Sequence, residues 1–64
     1  MGLSELEKRT LRVVTSVPLG RLEFEEKAAL RRYARLGLLL AVGLRNGETA
    51  TLTDAGRKAL KEGA

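Results

Sequence analysis

Three cationic side chains in the middle of the chain recur at a spacing that places them together on one side of a helix. Lys27, Arg31 and Arg35 are four residues apart, and Arg32 lies beside them. Residues three or four apart are neighbours on a helix surface. We call Lys27, Arg31 and Arg35 the basic ridge. It could bind phosphates, and its guanidinium groups could form paired hydrogen bonds with base edges.

The alternative to a binding role is that the basic ridge is simply a helix face exposed to solvent. Glu23 precedes Lys27 by four residues and could partly neutralise it. Beyond Lys27, no acidic residue stands among the ridge positions. This local excess of positive charge favours an anionic partner.

A second pair of polar residues, Arg45 and Asn46, falls at the tip of a predicted hairpin. Both could contact a nucleic-acid backbone or minor groove. Asn46 is equally explained by turn conformation, since Asn-Gly is a common turn dipeptide, and for Asn46 we favour that explanation. For Arg45 both interpretations stay open.

Composition excludes several kinds of chemistry. The 64 residues include no cysteine and no histidine, and twelve Lys and Arg against eight Asp and Glu give a net charge of +4. Disulfides, zinc fingers, thiol nucleophiles and imidazole bases are therefore excluded. We expect no enzyme activity, no metal and no cofactor. A small basic protein favours nucleic acid as its partner.

The apolar residues predict a thin core. They make up 44% of the chain, but eight of them are alanine, so we expect extra burial in a homodimer. The longest apolar run, 38–42, is far too short to span a bilayer, and no signal-peptide pattern opens the sequence. We therefore expect a cytoplasmic protein without membrane contact.

The first helix is predicted at about 4–16. Ser4 and Glu7 form a capping box, and Pro18 sets the end. Glu5 and Arg9 are spaced as an ion pair, and Lys8 lies away from the apolar positions. We predict that the buried positions are Leu6, Thr10 or Leu11, Val13, Val14 and Val17.

The second helix is predicted at about 23–36, after a turn at 18–20 and a strand or extended segment at 21–24. Gly37 follows where helices end in the left-handed conformation. The predicted buried positions are Phe24, Ala29, Leu30, Tyr33 and Leu36.

A hairpin is predicted from strands 38–44 and 48–53, and two registers are possible. A two-residue type I′ turn would pair Arg45 with Glu48. A three-residue loop would pair Leu44 with Glu48, and would place Gly47 in the left-handed position of a bulge. We prefer this second register because it gives one apolar face, made of Leu40, Val42, Leu44, Ala50 and Leu52.

The last helix is predicted from Thr53 or Asp54 to about Glu62. Its apolar positions are Ala55, Ala59 and Leu60, and Gly56 permits close packing. Arg57 could pair with Asp54 or serve a contact.

The order of these segments resembles a winged-helix DNA-binding domain. The likeness rests on "LRRYARLGLL" at 30–39, the hairpin, and "TLTDAGRKAL" at 51–60. It covers residues 28–62 closely and the first helix in position. The resemblance implies an α+β fold in one domain, 1–64, that runs helix, turn, Arg-rich helix, β-hairpin wing and C-terminal helix. Only ten residues, 18–27, stand where the family has a full second helix, so the helix-turn-helix must be abbreviated.

The resemblance also implies binding to double-stranded DNA, by a small homodimeric transcription regulator or an architectural protein. Some winged helices are instead protein-interaction modules, so an acidic protein partner within a larger complex is the alternative. The candidate DNA-binding residues are Lys27, Arg31, Arg32, Arg35, Arg45 and Asn46.

Overall fold

The computed structural model describes residues 3–62, which adopt an α+β fold with three helices and a two-stranded antiparallel hairpin. A one-turn 3-10 helix, Leu19–Arg21, lies between the first two α-helices. The remaining elements are α1 Glu5–Val14, α2 Phe24–Arg35, β1 Leu39–Leu40, β2 Thr51–Leu52 and α3 Asp54–Lys61.

The start of α1 has the predicted capping box. The backbone N–H of Glu7 donates to Ser4 Oγ at 3.2 Å, and the backbone N–H of Ser4 donates to Glu7 Oε1 at 3.0 Å. These bonds satisfy two of the donors that a helix start leaves free. The helix ends at Val14, slightly before the predicted end, and the Thr15 hydroxyl donates to the Leu11 carbonyl at 2.7 Å.

The buried side of α1 was predicted correctly at Leu11 and Val14 but wrongly at Leu6 and Lys8. Lys8, Leu11 and Val14 face the core, whereas Leu6 is 71% exposed. Lys8, predicted to lie away from the core, is only 2% exposed. Its aliphatic stem can cover apolar neighbours, and its Nζ reaches Glu5 Oε1 at 3.8 Å. Glu5 therefore pairs with Lys8, and the predicted pair with Arg9 is wrong.

The end of α2 agrees with the prediction. Gly37 has φ +77°, and the N–H groups of Gly37 and Leu38 donate to the carbonyls of Ala34 and Tyr33 at 3.1 and 3.0 Å. This is a Schellman motif, which satisfies carbonyls that a helix end leaves free.

The buried side of α2 was predicted in part. Ala29, Leu30 and Tyr33 are buried as expected. Phe24 and Leu36 are 87% and 61% exposed, so their assignment to the core is wrong. Both follow a different row of the helix, spaced in multiples of four, which points away from the core.

The hairpin is shorter than predicted, and its register agrees with neither alternative. Leu39 pairs with Leu52 and Leu40 with Thr51. This register is shifted by one residue from the preferred one, so the buried and exposed sides of the first strand are exchanged. Leu39 is buried, whereas Leu40 is exposed and Val42 is 100% exposed. The predicted apolar face is therefore wrong for Leu40 and Val42, while Ala50 is buried as expected.

Backbone geometry explains the short hairpin. Gly43 adopts φ +72°, and the N–H of Leu44 donates to the Ala41 carbonyl at 3.3 Å, so a turn interrupts the predicted first strand. Neither Asn46 nor Gly47 has a positive φ, which excludes both predicted loop conformations.

Two backbone carbonyl groups in the segment between the strands accept hydrogen bonds from outside the hairpin. Those of Asn46 and Glu48 accept from the N–H groups of Gly20 and Leu19 at 2.8 and 2.9 Å. Segment 41–50, the wing loop, is thus tied to the 3-10 turn. Of the segment predicted at 21–24 as a strand or extended chain, Leu22 and Glu23 are extended but form no strand, whereas Arg21 ends the 3-10 turn and Phe24 begins α2.

Packing of α3 depends on Gly56. Thr53 caps the helix, since its Oγ1 accepts from the Gly56 N–H at 3.0 Å. A Cβ at Gly56 would overlap the Leu38 carbonyl oxygen, so the absence of a side chain lets α3 lie directly against the chain before β1. Arg57 forms the predicted pair with Asp54.

The core lies between α1, α2 and the hairpin. The helices contribute Leu11, Val14, Ala29, Leu30 and Tyr33, and the connecting segments and strands contribute Leu22, Leu39 and Ala50. Within residues 3–62, no helix has the length and apolar character needed to cross a membrane.

Candidate nucleic-acid interface

A groove runs between α2 and the wing loop. Its cavity volume is about 540 Å³, within the usual size of ligand pockets. The basic ridge forms one wall, and Val42 and Asn46 stand on the other. The apolar residues in the groove are Leu19, Leu30, Ala34, Ala41 and Leu44.

The basic ridge is exposed and has no close counter-charge. Lys27, Arg31 and Arg35 all reach solvent. Among residues 3–62, no carboxylate oxygen lies within 4.0 Å of their cationic nitrogens. The predicted pair between Glu23 and Lys27 is therefore absent. The structure thus keeps three positive charges available along one wall of the groove.

Arg32 lies apart from the groove. Its guanidinium stands over the Tyr33 ring, 5.1 Å from the centroid, and its Nη2 is 3.4 Å from the Tyr33 hydroxyl oxygen. Such contact between a cation and an aromatic ring is favourable. Arg32 is therefore directed towards α1, although sequence spacing grouped it with the ridge.

The charge of Arg32 also contributes to the pKa of Glu7 on α1. The pKa of Glu7 is lowered, first by the hydrogen bond from the Ser4 backbone and then by that from the Ser4 side chain. Desolvation opposes this lowering of the pKa, and the charge of Arg32 adds a smaller contribution in the lowering direction. The Glu7 carboxylate is thus held ionised by the cap and by a neighbouring cation.

The two wing residues are separated by the structure. Asn46 lines the groove, and its carbonyl anchors the loop to Gly20. Arg45 is exposed beside it, and its backbone N–H donates a hydrogen bond to Glu48 Oε1 at 2.9 Å. Arg45 does not line the groove. Of the predicted DNA-binding residues, the structure brings together Lys27, Arg31, Arg35 and Asn46 at the groove.

Sequence reasoning missed the apolar residues of the groove. Leu19, Leu44 and Val42 were assigned to a turn or to a buried strand face. One signal could have identified Val42 as exposed: Gly43 follows it, and glycine inside a strand pattern often marks an interruption. Nothing in the residue spacing indicates that N–H groups of the 3-10 turn would donate hydrogen bonds to the wing loop.

An open groove with one cationic wall can bind a polyanion, because it offers charge at the rim and apolar contact below. No protein-family model, curated protein or solved structure matches this chain. The site must therefore be interpreted from its own geometry.

Proposed function

We propose that this protein binds double-stranded DNA through the basic ridge of α2. The observation that carries the proposal is the set of three exposed cations along the groove, with no carboxylate of residues 3–62 within 4.0 Å. Phosphate contacts supply most of the affinity in DNA binding. An unneutralised row of Lys and Arg fits that requirement.

The arrangement of elements supports a winged-helix interpretation. An Arg-rich helix is followed by a hairpin loop and a further helix, in the order that the resemblance implies. In this interpretation α2 faces a DNA groove and the wing loop lies alongside. The 3-10 turn Leu19–Arg21 takes the place of the missing helix. A small transcription regulator or an architectural protein would use such a surface.

The mechanism is electrostatic anchoring followed by contact with base edges. Each ridge cation that meets a phosphate releases counterions, so affinity falls as salt rises. In this mechanism Arg31, in the middle of the ridge, reaches beyond the DNA backbone. An arginine can recognise guanine through two hydrogen bonds.

A second candidate function is a protein-interaction module within a larger complex. The exposure of Phe24 and Leu36 at the two ends of α2 favours it, because a protein partner would remove both apolar side chains from water. An acidic partner could still meet the basic ridge. The two candidates differ in whether duplex DNA alone binds.

Fluorescence anisotropy with random duplex DNA over a salt series tests the proposal. Three phosphate contacts predict a slope of log K against log salt of about −3. The variant Lys27→Ala/Arg31→Ala should lose about two of these units. The matched control, Arg9→Ala/Arg12→Ala, removes the same charge from exposed positions of α1 and should change the slope little. Absence of salt-dependent binding, or equal slopes for both variants, would overturn the proposal.

A further inference from the structure

An exposed row of side chains runs along α2 beside the basic ridge. Phe24, Ala28, Arg32 and Leu36 are spaced by four residues and all face solvent. Phe24 and Leu36 occupy the two ends, with the small side chain of Ala28 between them. We call this row the Phe24 face. The two large apolar side chains on it are exposed and do not contribute to the core.

Charges of opposite sign flank the two ends of the Phe24 face. Glu25 lies next to Phe24, and Arg35 lies next to Leu36. Glu25 and Arg35 are ten positions apart, which corresponds to about 15 Å along the helix. Within residues 3–62, neither side chain takes part in an ion pair. The face is therefore acidic at one end and basic at the other.

We propose that a second copy of this chain covers the Phe24 face, with the two α2 helices antiparallel about a two-fold axis. Symmetry makes each contact occur twice. In one register, Phe24 meets Leu36 of the partner subunit, and Glu25 meets Arg35 of the partner subunit. The same register sets Ala28 opposite Arg32 of the partner subunit. A single alignment thus matches apolar with apolar and acid with base.

The surface relief fits this register. A shallow hollow of about 380 Å³ lies between α1 and the start of α2, lined in part by Thr10, Phe24 and Ala28. A second hollow, of about 500 Å³, is lined by Ala28 and Leu36 and by the side chains of Arg31, Arg32 and Arg35. The antiparallel alignment seats Leu36 of the partner subunit in the first hollow and Phe24 of the partner subunit in the second.

Two further features permit close approach. Ala28 is short, and helices that cross at small residues can pack at the near end of the usual 8–10 Å range. Arg32 is held over the Tyr33 ring, which draws its guanidinium towards α1. Arg32 also lines both hollows, so its side chain forms the boundary between the two seats for the partner.

A parallel arrangement would fail on charge. It would set Glu25 against Glu25 and Arg35 against Arg35, and it would align the two helix dipoles unfavourably. In this dimer Arg35 pairs with Glu25 of the partner subunit, so the dimer offers four ridge cations to phosphates, Lys27 and Arg31 of each subunit, where a single subunit offers three. These four cations lie on the same side of the dimer, because the two-fold axis is perpendicular to both helices. The dimer does not require DNA, so it can be tested separately from the proposed function.

Sedimentation equilibrium without DNA, from micromolar to millimolar protein, gives the first test. The wild type should dimerise, and Phe24→Ser should weaken the dimer by about tenfold or more. Val42→Ser is the control, because Val42 is also an exposed apolar residue but lies on the wing loop. A wild type that stays monomeric throughout, or equal effects of the two variants, would overturn the inference.

A charge exchange tests the register. Glu25→Arg alone and Arg35→Glu alone should each be monomeric, since each sets like charges together twice. When the two variants are mixed, both contacts become attractive, and a heterodimer should form. The double variant Glu25→Arg/Arg35→Glu should again form a homodimer. A mixture that remains monomeric would overturn the antiparallel register, whatever the protein does with DNA.

Discussion

The hydroxyl of Tyr33 donates a hydrogen bond to the carbonyl oxygen of Glu7 at 3.2 Å, joining α2 to α1 across 26 positions of the chain. Tyr33 is fully buried, so its ring fills the core while its hydroxyl meets the backbone of the neighbouring helix. Buried tyrosine hydroxyls usually find such a partner. The bond fixes how the two helices lie against each other.

Tyr33→Phe should therefore lower the free energy of unfolding by about 1 kcal/mol, the usual net contribution of one hydrogen bond. Tyr33→Ala should cost about 3–5 kcal/mol, because it also leaves a cavity. Urea denaturation of the three proteins measures both effects. A Tyr33→Phe protein as stable as the wild type would show that the bond contributes nothing net.

Gly56→Ala should destabilise the protein by about 1–3 kcal/mol, since the new methyl group would overlap the Leu38 carbonyl and force α3 outwards. Gly47→Ala is the control. A Cβ at Gly47 meets nothing within 4 Å, and the residue has no positive φ, so stability should change by no more than about 1 kcal/mol. Similar melting temperatures for both variants would contradict the close contact of α3.

Glu7 should make the stability depend on pH. Its pKa in the folded protein is lowered below the ordinary value of 4.5, chiefly by the hydrogen bond from the Ser4 backbone. A carboxylate of this kind stabilises the fold above its unfolded pKa, and this contribution is lost as the pH falls through the folded pKa. Stability should therefore decline as the solution is acidified below that ordinary value.

Glu7→Gln should show a smaller decline over the same range, because an amide oxygen can still accept from Ser4 but does not titrate. Urea midpoints from neutral to acidic pH provide the measurement. Glu62→Gln, at the exposed end of α3, serves as the control. Parallel pH curves for wild type and Glu7→Gln would rule out this role for Glu7.

Arg31 and Arg32 are adjacent in sequence but should behave differently on DNA. Arg31 lines the groove, so Arg31→Ala should lower the salt slope by about one. Arg32 is held over the Tyr33 ring, so Arg32→Ala should leave the slope nearly unchanged and reduce stability modestly, by about 0.5–1 kcal/mol. Anisotropy and thermal melts on the two variants distinguish these effects. An equal loss of slope would place Arg32 in the interface after all.

The helix ends could be predicted from the sequence because their signals are local. Ser4 with Glu7, Gly37 and Thr53 each act through hydrogen bonds to residues a few positions away. The ridge spacing is local in the same sense. The helix ends were therefore predicted closely, although two other local predictions, the ion pair of Glu5 with Arg9 and the turn at 46–47, were wrong.

The hairpin register and the groove depend on contacts between distant segments. The backbone N–H groups of Leu19 and Gly20 donate to the carbonyls of Glu48 and Asn46. These hydrogen bonds compete with pairing between the two strands, and no periodicity within the loop encodes that competition. The burial of Lys8 is similar, since a charged residue counts as polar in any pattern although its stem is apolar. These features were predicted wrongly because they follow from tertiary packing.

The burial of Lys8 separates it chemically from the other lysines. Lys27, Lys58 and Lys61 are exposed and should acylate readily with an amine-reactive label, whereas the Lys8 amine is shielded while the fold is closed. Its labelling would require an opening of α1 away from the core, and would report how often that opening occurs. One lysine of the native sequence thus serves as an internal probe of conformational opening, with no engineered reporter.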